Sequence, residues 1–302
     1  MNNLLEKFKN YEEKLNKSDK TIKVYVKEVN YFLDKYNLNS IESLKIMEEK
    51  DFWSKWLEDM TNEYQPNTIV KKKTALSVFS DFLIFQDIIS TNKVKQLQNV
   101  KNDNKKIEVY SDDEVERIFN YMENKINENN FKRKIDQKVN VMYKAIFHIF
   151  FNLALRNEEV TNIRIDDINW ETGSMYVRCK GHKGEISHKS KMNKETLSIV
   201  KEWLEVRNNI ISNEDYLFIS PLSKKQISTD AIRKQMRLLQ QELNIEGDLM
   251  IHSIRHTRIS ELVTKGADIK KVSMFAHHSS QKTTERFYCH DTEEMLDELC
   301  EL

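Results

Sequence analysis

The chain has 302 residues and carries 48 basic and 48 acidic side chains, so its formal net charge is zero. This balance excludes a global positive field, and any affinity for nucleic acid must come from local basic patches. With 39% hydrophobic and 32% charged residues, the composition is typical of a globular protein long enough for two domains. Only five glycines and two prolines are present, which predicts a mostly helical fold with few tight turns.

The sequence gives no sign of membrane insertion or secretion. The longest apolar run, about residues 143–155, is interrupted by His148 and Asn152 and is too short to span a bilayer. The first ten residues lack an apolar signal region. The three cysteines have no CxxC spacing, which is typical of reduced thiols. We therefore expect a cytoplasmic protein.

Residues 1–100 show repeated helical periodicity. In the segments 21–36, 51–60 and 67–85, apolar residues recur at spacings of three and four with charged residues opposite them. The pattern predicts a helical domain of about four helices over residues 1–100. Residues 101–110 are polar and lack periodicity, so we interpret them as a linker.

A second domain is predicted over residues 111–302. It opens with a capping box, in which Ser111 is the N-cap and Glu114 lies three residues further on. Helical periodicity returns in four later segments, which are residues 138–155, 195–210, 230–243 and 253–266.

One segment of this domain has the period of a strand. Apolar and polar residues alternate over 174–180, and residues 181–184 supply a turn to a second strand. With residues 162–168 just before it, the segment predicts a three-stranded antiparallel sheet. The predicted fold class is therefore mainly α with a small antiparallel β-sheet.

Four places in the second domain carry side chains whose chemistry fits one reaction. The candidate catalytic residues are Arg156, Lys180, His252, Arg255, His278 and Tyr288. Taken singly, each is more often a solvated or structural side chain than a catalytic one. The functional prediction therefore depends on their order and on the residues around them.

These segments resemble the tyrosine recombinases, the phage-integrase and Xer-like site-specific DNA recombinases. ALRNEEVTNIRIDDI is similar to the family's first arginine box, and CKGHKGE to its hairpin lysine segment. HSIRHTRISELVTKGADIKKV is similar to the His-x-x-Arg box, and HSSQKTTERFY to the last box, where a histidine precedes a tyrosine. The helices of residues 1–100 resemble the family's core-binding domain. The resemblance implies a SAM-like DNA-binding domain followed by a tyrosine-recombinase catalytic domain.

The last box departs from the family pattern at two positions. Most members have glycine where this chain has His277, and their tyrosine falls one residue earlier, where this chain has Phe287. Phenylalanine has no nucleophilic atom, so Tyr288 is the candidate nucleophile, and a local helical bulge would restore its position. For His277, capping of a helix and contact with DNA both stay open.

The resemblance implies a reaction without metal or other cofactor. The tyrosyl oxygen attacks a DNA phosphodiester, leaves the protein on the 3′-phosphate and frees a 5′-hydroxyl, and attack by another strand's 5′-hydroxyl reverses the step. A phenol with a pKa near ~10 is barely ionised at neutral pH, so a general base is useful. His252 is our candidate for the base, and Lys180 for the acid that protonates the leaving oxygen.

The same resemblance implies roles for the other residues. Arg156 and Arg255 would hold the non-bridging phosphate oxygens with their forked donors. His278 would add one hydrogen bond to the phosphate. Glu159 would orient Arg156 or a neighbour. His256 and His290 match no catalytic position of the family and are interpreted as structural.

The predicted partners are double-stranded DNA with a specific recombination site and further copies of the chain. Lys71, Lys72 and Lys73 lie on a predicted helix of the first domain and are candidates for phosphate contacts, against the alternative of a solvated face. The tail, residues 292–302, resembles the helix that family members pass to a neighbouring protomer, which implies a tetramer on DNA. Docking on its own domain is the alternative.

Three alternative functions remain. A type IB topoisomerase shares the chemistry but relaxes DNA without exchanging partners. A DNA-binding relative that has lost catalysis would explain the altered last box. A metal site built from His277, His278, Cys289 and His290 has a spacing that fits no common zinc pattern. The leading prediction is a site-specific recombinase of Xer-like organisation that acts in integration, excision or resolution. Within the family, we expect a divergent member that comes from a mobile element.

Overall fold

The computed structural model describes residues 1–98, 100, 108–127, 134–178, 186–247, 251–278 and 284. It divides into two compact units, Met1–Lys105 and Lys106–Leu302. Each unit has an apolar core of its own. No helix in the described ranges has the length and apolarity needed to cross a membrane.

The first unit is helical, as predicted. Its described part contains four α-helices and two short 3-10 helices, Glu42–Glu48 and Lys93–Gln96. The α-helices are α1 Asn2–Lys14, α2 Asp19–Lys35, α3 Lys50–Glu63 and α4 Pro66–Phe85. Local sequence sets two of the starts: Ser18 accepts a hydrogen bond from the Thr21 amide, and Pro66 occupies the first turn of α4. Aromatic side chains dominate the core, with Phe8, Trp53 and Phe79 almost fully buried.

The second unit holds the remaining regular structure of the described chain. Its α-helices are α5 Asp112–Asn127, α6 Lys134–Leu153, α7 Asn157–Thr161, α8 Lys194–Asn208, α9 Thr229–Leu243, α10 Ile251–Thr264 and α11 Ile269–Phe275. Helix α6 is the central element, because residues 141–150 are buried without interruption and the helix contacts α5, α8 and α10. Helix α6 ends at Leu153, and the first site residue, Arg156, follows three residues later.

The predicted capping box at the start of α5 is confirmed. The Ser111 amide donates to Oε2 of Glu114 at 2.8 Å, and the Glu114 amide donates to Oγ of Ser111 at 3.2 Å. Two amide groups that the helix itself leaves unpaired thereby find acceptors.

Among the described residues, the sheet has two strands rather than the predicted three. Strands β1 Ser174–Arg178 and β2 Ile186–Lys191 pair antiparallel, with Val177 opposite His188 and a register shift after Val177. The predicted first strand is wrong, because Ile165–Asp167 forms a 3-10 helix flanked only by isolated bridges.

Asp167 explains this difference. Its Oδ2 accepts from the Arg164 amide at 3.2 Å and closes the 3-10 turn. Arg178 at the end of β1 donates through Nε to Oδ2 at 2.9 Å and through Nη2 to Oδ1 at 2.6 Å. The carboxylate is buried and raises the pKa of Arg178 through these hydrogen bonds. Asp167 therefore joins the 3-10 turn to the end of β1.

We expect Asp167→Ala to lower the free energy of unfolding of the second unit by about 2–3 kcal/mol, because it removes a buried carboxylate that accepts hydrogen bonds from Arg178 and from the Arg164 amide. Urea denaturation of the full chain measures the change. The exposed neighbour Asp166 provides the control, and Asp166→Ala should stay within about 0.5 kcal/mol of the original chain. Equal effects of the two substitutions would contradict the role given to Asp167.

Candidate active site

Arg156 follows the end of α6 and stands at the N-cap position of α7. Its Nη1 donates to Oε1 of Glu159 at 2.7 Å, and its Nη2 donates to the carbonyl oxygen of His277 at 2.9 Å. The side chain is 38% exposed. The two bonds use two of the five guanidinium N–H donors. The described residues give the other three no partner, so a fixed and partly exposed fork is left for an anion.

Glu159 is the buried partner of Arg156, with an exposed fraction of 2%. Its Oε2 also accepts from the Arg156 backbone amide at 2.8 Å. Burial alone would raise the pKa of the carboxyl, but the polar groups of His277 and Arg156 outweigh it and hold the pKa well below its usual range. Glu159 is therefore a carboxylate at neutral pH, in contact with the arginine that it is predicted to orient.

Arg255 lies on α10 and is 3% exposed. Its Nη1 donates to the carbonyl oxygen of Ala154, just after α6, and its Nη2 donates to the carbonyl oxygen of Ala276, just after α11. Ala154 has a positive φ of 48°, which turns the chain sharply toward Arg156. One buried guanidinium thus joins the ends of two helices.

His252 lies one turn before Arg255 on α10 and is exposed. Partial burial of the ring lowers its pKa below the ordinary value, and the guanidinium groups of Arg255 and Arg156 lower it further. The imidazole is therefore neutral at pH 7 and able to accept a proton. His256, one turn further along, has its pKa lowered to about 4, chiefly by burial.

His278 follows α11 and is half-buried. Its Nδ1 lies 2.8 Å from Oγ1 of the buried Thr284. Burial lowers the pKa of His278 to about 4, and the charges of Arg255 and Arg156 act in the same direction. Since both guanidinium groups also act on His252, the structure brings four predicted site residues within electrostatic reach of one another.

The other two predicted catalytic residues, Lys180 and Tyr288, lie outside the described residues. So do Cys289 and His290 of the alternative metal site. In the ranges that the structure describes, no group of three or more His, Cys, Asp or Glu side chains is arranged to hold a metal ion.

One of the two sequence interpretations of His277, capping of a helix, is supported. The residue has a positive φ just after α11, and the amides of His277 and His278 donate to carbonyl groups in the last turn of that helix. The cap is made by the main chain, and the residue is 6% exposed. Its ring stacks on that of His188 in strand β2, with centroids 4.3 Å apart and planes 9° from parallel. Its Nδ1 lies 3.9 Å from Oε2 of Glu159.

Sequence reasoning missed His188. The signal that could have found it is the alternation of the hairpin, since His188 stands opposite the buried Val177 and so shares its face.

The three lysines of α4 differ in their surroundings. Lys72 is buried, with Nζ 2.6 Å from Oε2 of Glu28 and above the rings of Tyr31 and Tyr64. Lys73 donates to the carbonyl oxygen of Leu97, and burial lowers its pKa. Lys71 is exposed. Two of the three side chains thus have partners within their own unit, and contact of the three with DNA stays a prediction.

Comparison with known proteins identifies the family. Residues 108–295 match the phage integrase family, which is more than half of the chain. The chain therefore belongs to this family, the tyrosine recombinases. The predicted family and fold class are confirmed.

Relatives match along most of the chain. The tyrosine recombinase XerC of Staphylococcus epidermidis is 24% identical over 284 residues, covering 93% of this chain and 90% of the relative. A tyrosine recombinase of Agathobacter rectalis is 27% identical over 281 residues, covering 90% of this chain and 86% of the relative.

Solved structures share the fold. The Tn1549 transposon integrase in complex with circular intermediate DNA has a TM-score of 0.73 at 18% identity, over 99% of this chain and 98% of that chain. The XerH site-specific recombinase bound to a palindromic difH substrate has a TM-score of 0.74 at 19% identity, over 93% and 79% of the two chains.

The two arginines should respond differently to substitution by lysine. Arg255→Lys should lower the free energy of unfolding by about 2–4 kcal/mol, because buried carbonyl groups lose their partners. Arg156→Lys should cost only about 1 kcal/mol, since a lysine can still pair with Glu159 from a partly exposed position. Urea denaturation of the two variants measures the difference, and equal losses would contradict the structural role of Arg255. Both should slow DNA cleavage by about a hundredfold or more.

Proposed function

We propose that the chain is a site-specific recombinase that cuts and rejoins DNA through a covalent 3′-phosphotyrosyl intermediate formed by Tyr288. The observation that carries the proposal is the convergence of Arg156, Arg255, His252 and His278 at the ends of α6 and α11 and on one face of α10. Membership in the tyrosine recombinase family supports it.

The proposed substrate group is the phosphodiester. Arg156 presents its remaining donors from a side chain fixed by Glu159 and the His277 carbonyl group. Arg255 adds a second positive charge from the buried side of the site. Negative charge builds up on the non-bridging oxygens in the transition state, and fixed donors stabilise it without reorganising at that moment. His278 would add one hydrogen bond.

The bond changes balance without a cofactor. The phenol oxygen of Tyr288 forms a bond to phosphorus as the bond from phosphorus to the 5′ oxygen breaks. The phenol proton passes to His252, which is neutral because its pKa is lowered. The leaving 5′ oxygen takes a proton from Lys180. The phosphotyrosyl bond conserves the energy of the broken bond, so the 5′-hydroxyl of another strand can reverse the step.

The proposed partners follow from the family. Two structures with the same fold are DNA complexes, one with circular intermediate DNA of a transposon and one with a palindromic difH substrate. We infer that this chain likewise binds double-stranded DNA with a specific site, in the cytoplasm, and that its C-terminal segment joins protomers into a tetramer on that DNA. Lys71, the exposed lysine of α4, is the candidate among the three for a phosphate contact.

Covalent trapping tests the proposed function. The chain is mixed with nicked suicide DNA carrying its site, and SDS-resistant complexes are measured for the original chain, for Tyr288→Phe, and for the double variant Phe287→Tyr, Tyr288→Phe. We expect an adduct with the original chain only. The double variant restores a hydroxyl at the usual family position and so tests whether this chain uses the shifted position.

Other outcomes decide against parts of the proposal. An adduct with Tyr288→Phe would place the nucleophile elsewhere. Specific binding without an adduct from any variant would identify a DNA-binding relative. Relaxation of supercoiled DNA that lacks the site would favour the topoisomerase alternative.

The pH dependence of cleavage should report His252. The base works only when unprotonated, so cleavage is lost as the pH falls through its pKa. Because the folded-state pKa is lowered, activity should persist below pH ~6.5, where an ordinary histidine would already be half protonated. Single-turnover cleavage between mildly acidic and neutral pH measures this inflection. It should vanish in His252→Gln and remain in His256→Gln, and an unchanged profile in His252→Gln would overturn the assignment.

A further inference from the structure

His277 occupies a backbone conformation that favours glycine. Its φ is 50°, in the left-handed region. A non-glycine residue is strained in this conformation. The ring is also buried, and its Nδ1 has no hydrogen-bond partner among the described residues. Both features are unfavourable, so stability of the turn alone does not account for a histidine here.

The contacts of His277 reach two parts of the site. On the main-chain side, its carbonyl oxygen accepts the hydrogen bond from Nη2 of Arg156 at 2.9 Å. On the side-chain side, its ring lies flat against His188 at 4.3 Å, with Nδ1 3.9 Å from the carboxylate of Glu159. The residue that holds one end of Arg156 therefore also packs on strand β2.

Strand β2 is the second strand of the hairpin. It pairs with β1, and His188 stands opposite Val177 near the end of that strand. Lys180 lies between the two strands in the sequence, two residues after Arg178. The stack of His277 on His188 is therefore a contact between this hairpin and the segment that holds Arg156.

We propose that His277 is a positioning residue, whose stack on His188 couples the β-hairpin that carries Lys180 to the segment that holds Arg156. The stack joins the hairpin, whose connecting segment contains Lys180, to the segment that holds Arg156. This inference rests on the proposed function, in which Lys180 is the general acid. Its consequence is that loss of the stack impairs protonation of the leaving group rather than binding of the phosphate.

A change of leaving group tests this consequence. DNA in which sulfur replaces the bridging 5′ oxygen releases a thiolate, which has a far lower pKa than an alkoxide and leaves without a proton. Single-turnover cleavage is measured on the oxygen and sulfur substrates for the full chain and each variant. A variant that lacks only the acid is slow on the oxygen substrate and fast on the sulfur substrate.

We expect His277→Gly to cleave the oxygen substrate about tenfold to a hundredfold more slowly, as for a misplaced catalytic group, and the sulfur substrate within about threefold of the original chain. Glycine suits the positive φ, so thermal unfolding should show an intact fold. His277→Phe keeps a flat ring on His188 but removes the nitrogen beside Glu159, so any loss of rate it shows should be the same on both substrates. Three outcomes would overturn the proposal. His277→Gly could be equally slow on both substrates, it could cleave both at the original rate, or His277→Phe could show the same pattern as His277→Gly.

Two further variants distinguish a failure of this inference from a failure of the proposed function. Lys180→Ala should be rescued by the sulfur substrate and Arg156→Lys should not. If Lys180→Ala is not rescued, the acid assignment fails and the coupling fails with it. If Lys180→Ala is rescued and His277→Gly is not, the coupling alone fails.

A double-mutant cycle tests the stack directly. His188→Ala should reproduce the defect of His277→Gly, and the double variant should be no slower than either single variant, because both remove one contact. Additive losses would show that the two histidines act independently and would overturn the proposal.

Discussion

The arrangement of the site depends on one buried guanidinium. Arg255 donates to the carbonyl groups of Ala154 and Ala276, which follow the ends of α6 and α11. Carbonyl groups at helix C-termini carry the negative end of the helix dipole, so they are suitable partners for a positive charge withdrawn from water. Arg156 lies two residues after the first carbonyl group, and His278 lies two residues after the second. The helices of the core thus fix both segments through a single side chain.

This charge also sets the protonation of its neighbours. Burial is the first cause of the lowered pKa of His252 and of His278, and the guanidinium groups of Arg255 and Arg156 lower both pKa values further. Glu159 supplies the compensating negative charge and stays ionised despite burial. The result is a region where arginines carry the positive charge and imidazoles remain neutral. Such a region can attract a phosphate and still accept a proton from a phenol.

Local patterns were sufficient for the parts of the fold that local interactions decide. Periodicity indicated the helices, and the Ser111 capping box and the Arg156–Glu159 pair act over three residues. Non-local contacts could not be read in this way. Residues 162–168 looked like a strand until Asp167 found Arg178 eleven residues away. Lys72 looked like a solvated or DNA-binding side chain, whereas Glu28, 44 residues before it, pairs with it inside the helical unit.

The contact between His188 and His277 is the clearest example of a contact that sequence patterns could not predict. The two residues are far apart in the sequence, and no local motif relates one to the other. The family comparison marked His277 as unusual without giving a reason. Two observations weigh against histidine at this position, which are a positive φ and a buried nitrogen 3.9 Å from the carboxylate of Glu159, beyond hydrogen-bond distance. Ring burial against His188 offsets part of that cost but would be equally available to phenylalanine. The distinctive feature of His277 is that its carbonyl group holds Arg156 while its ring contacts β2, the strand that follows Lys180 in the sequence. In the proposed function, a large flat side chain here has a geometric role, because it joins the hairpin that contains Lys180 to the segment that holds Arg156.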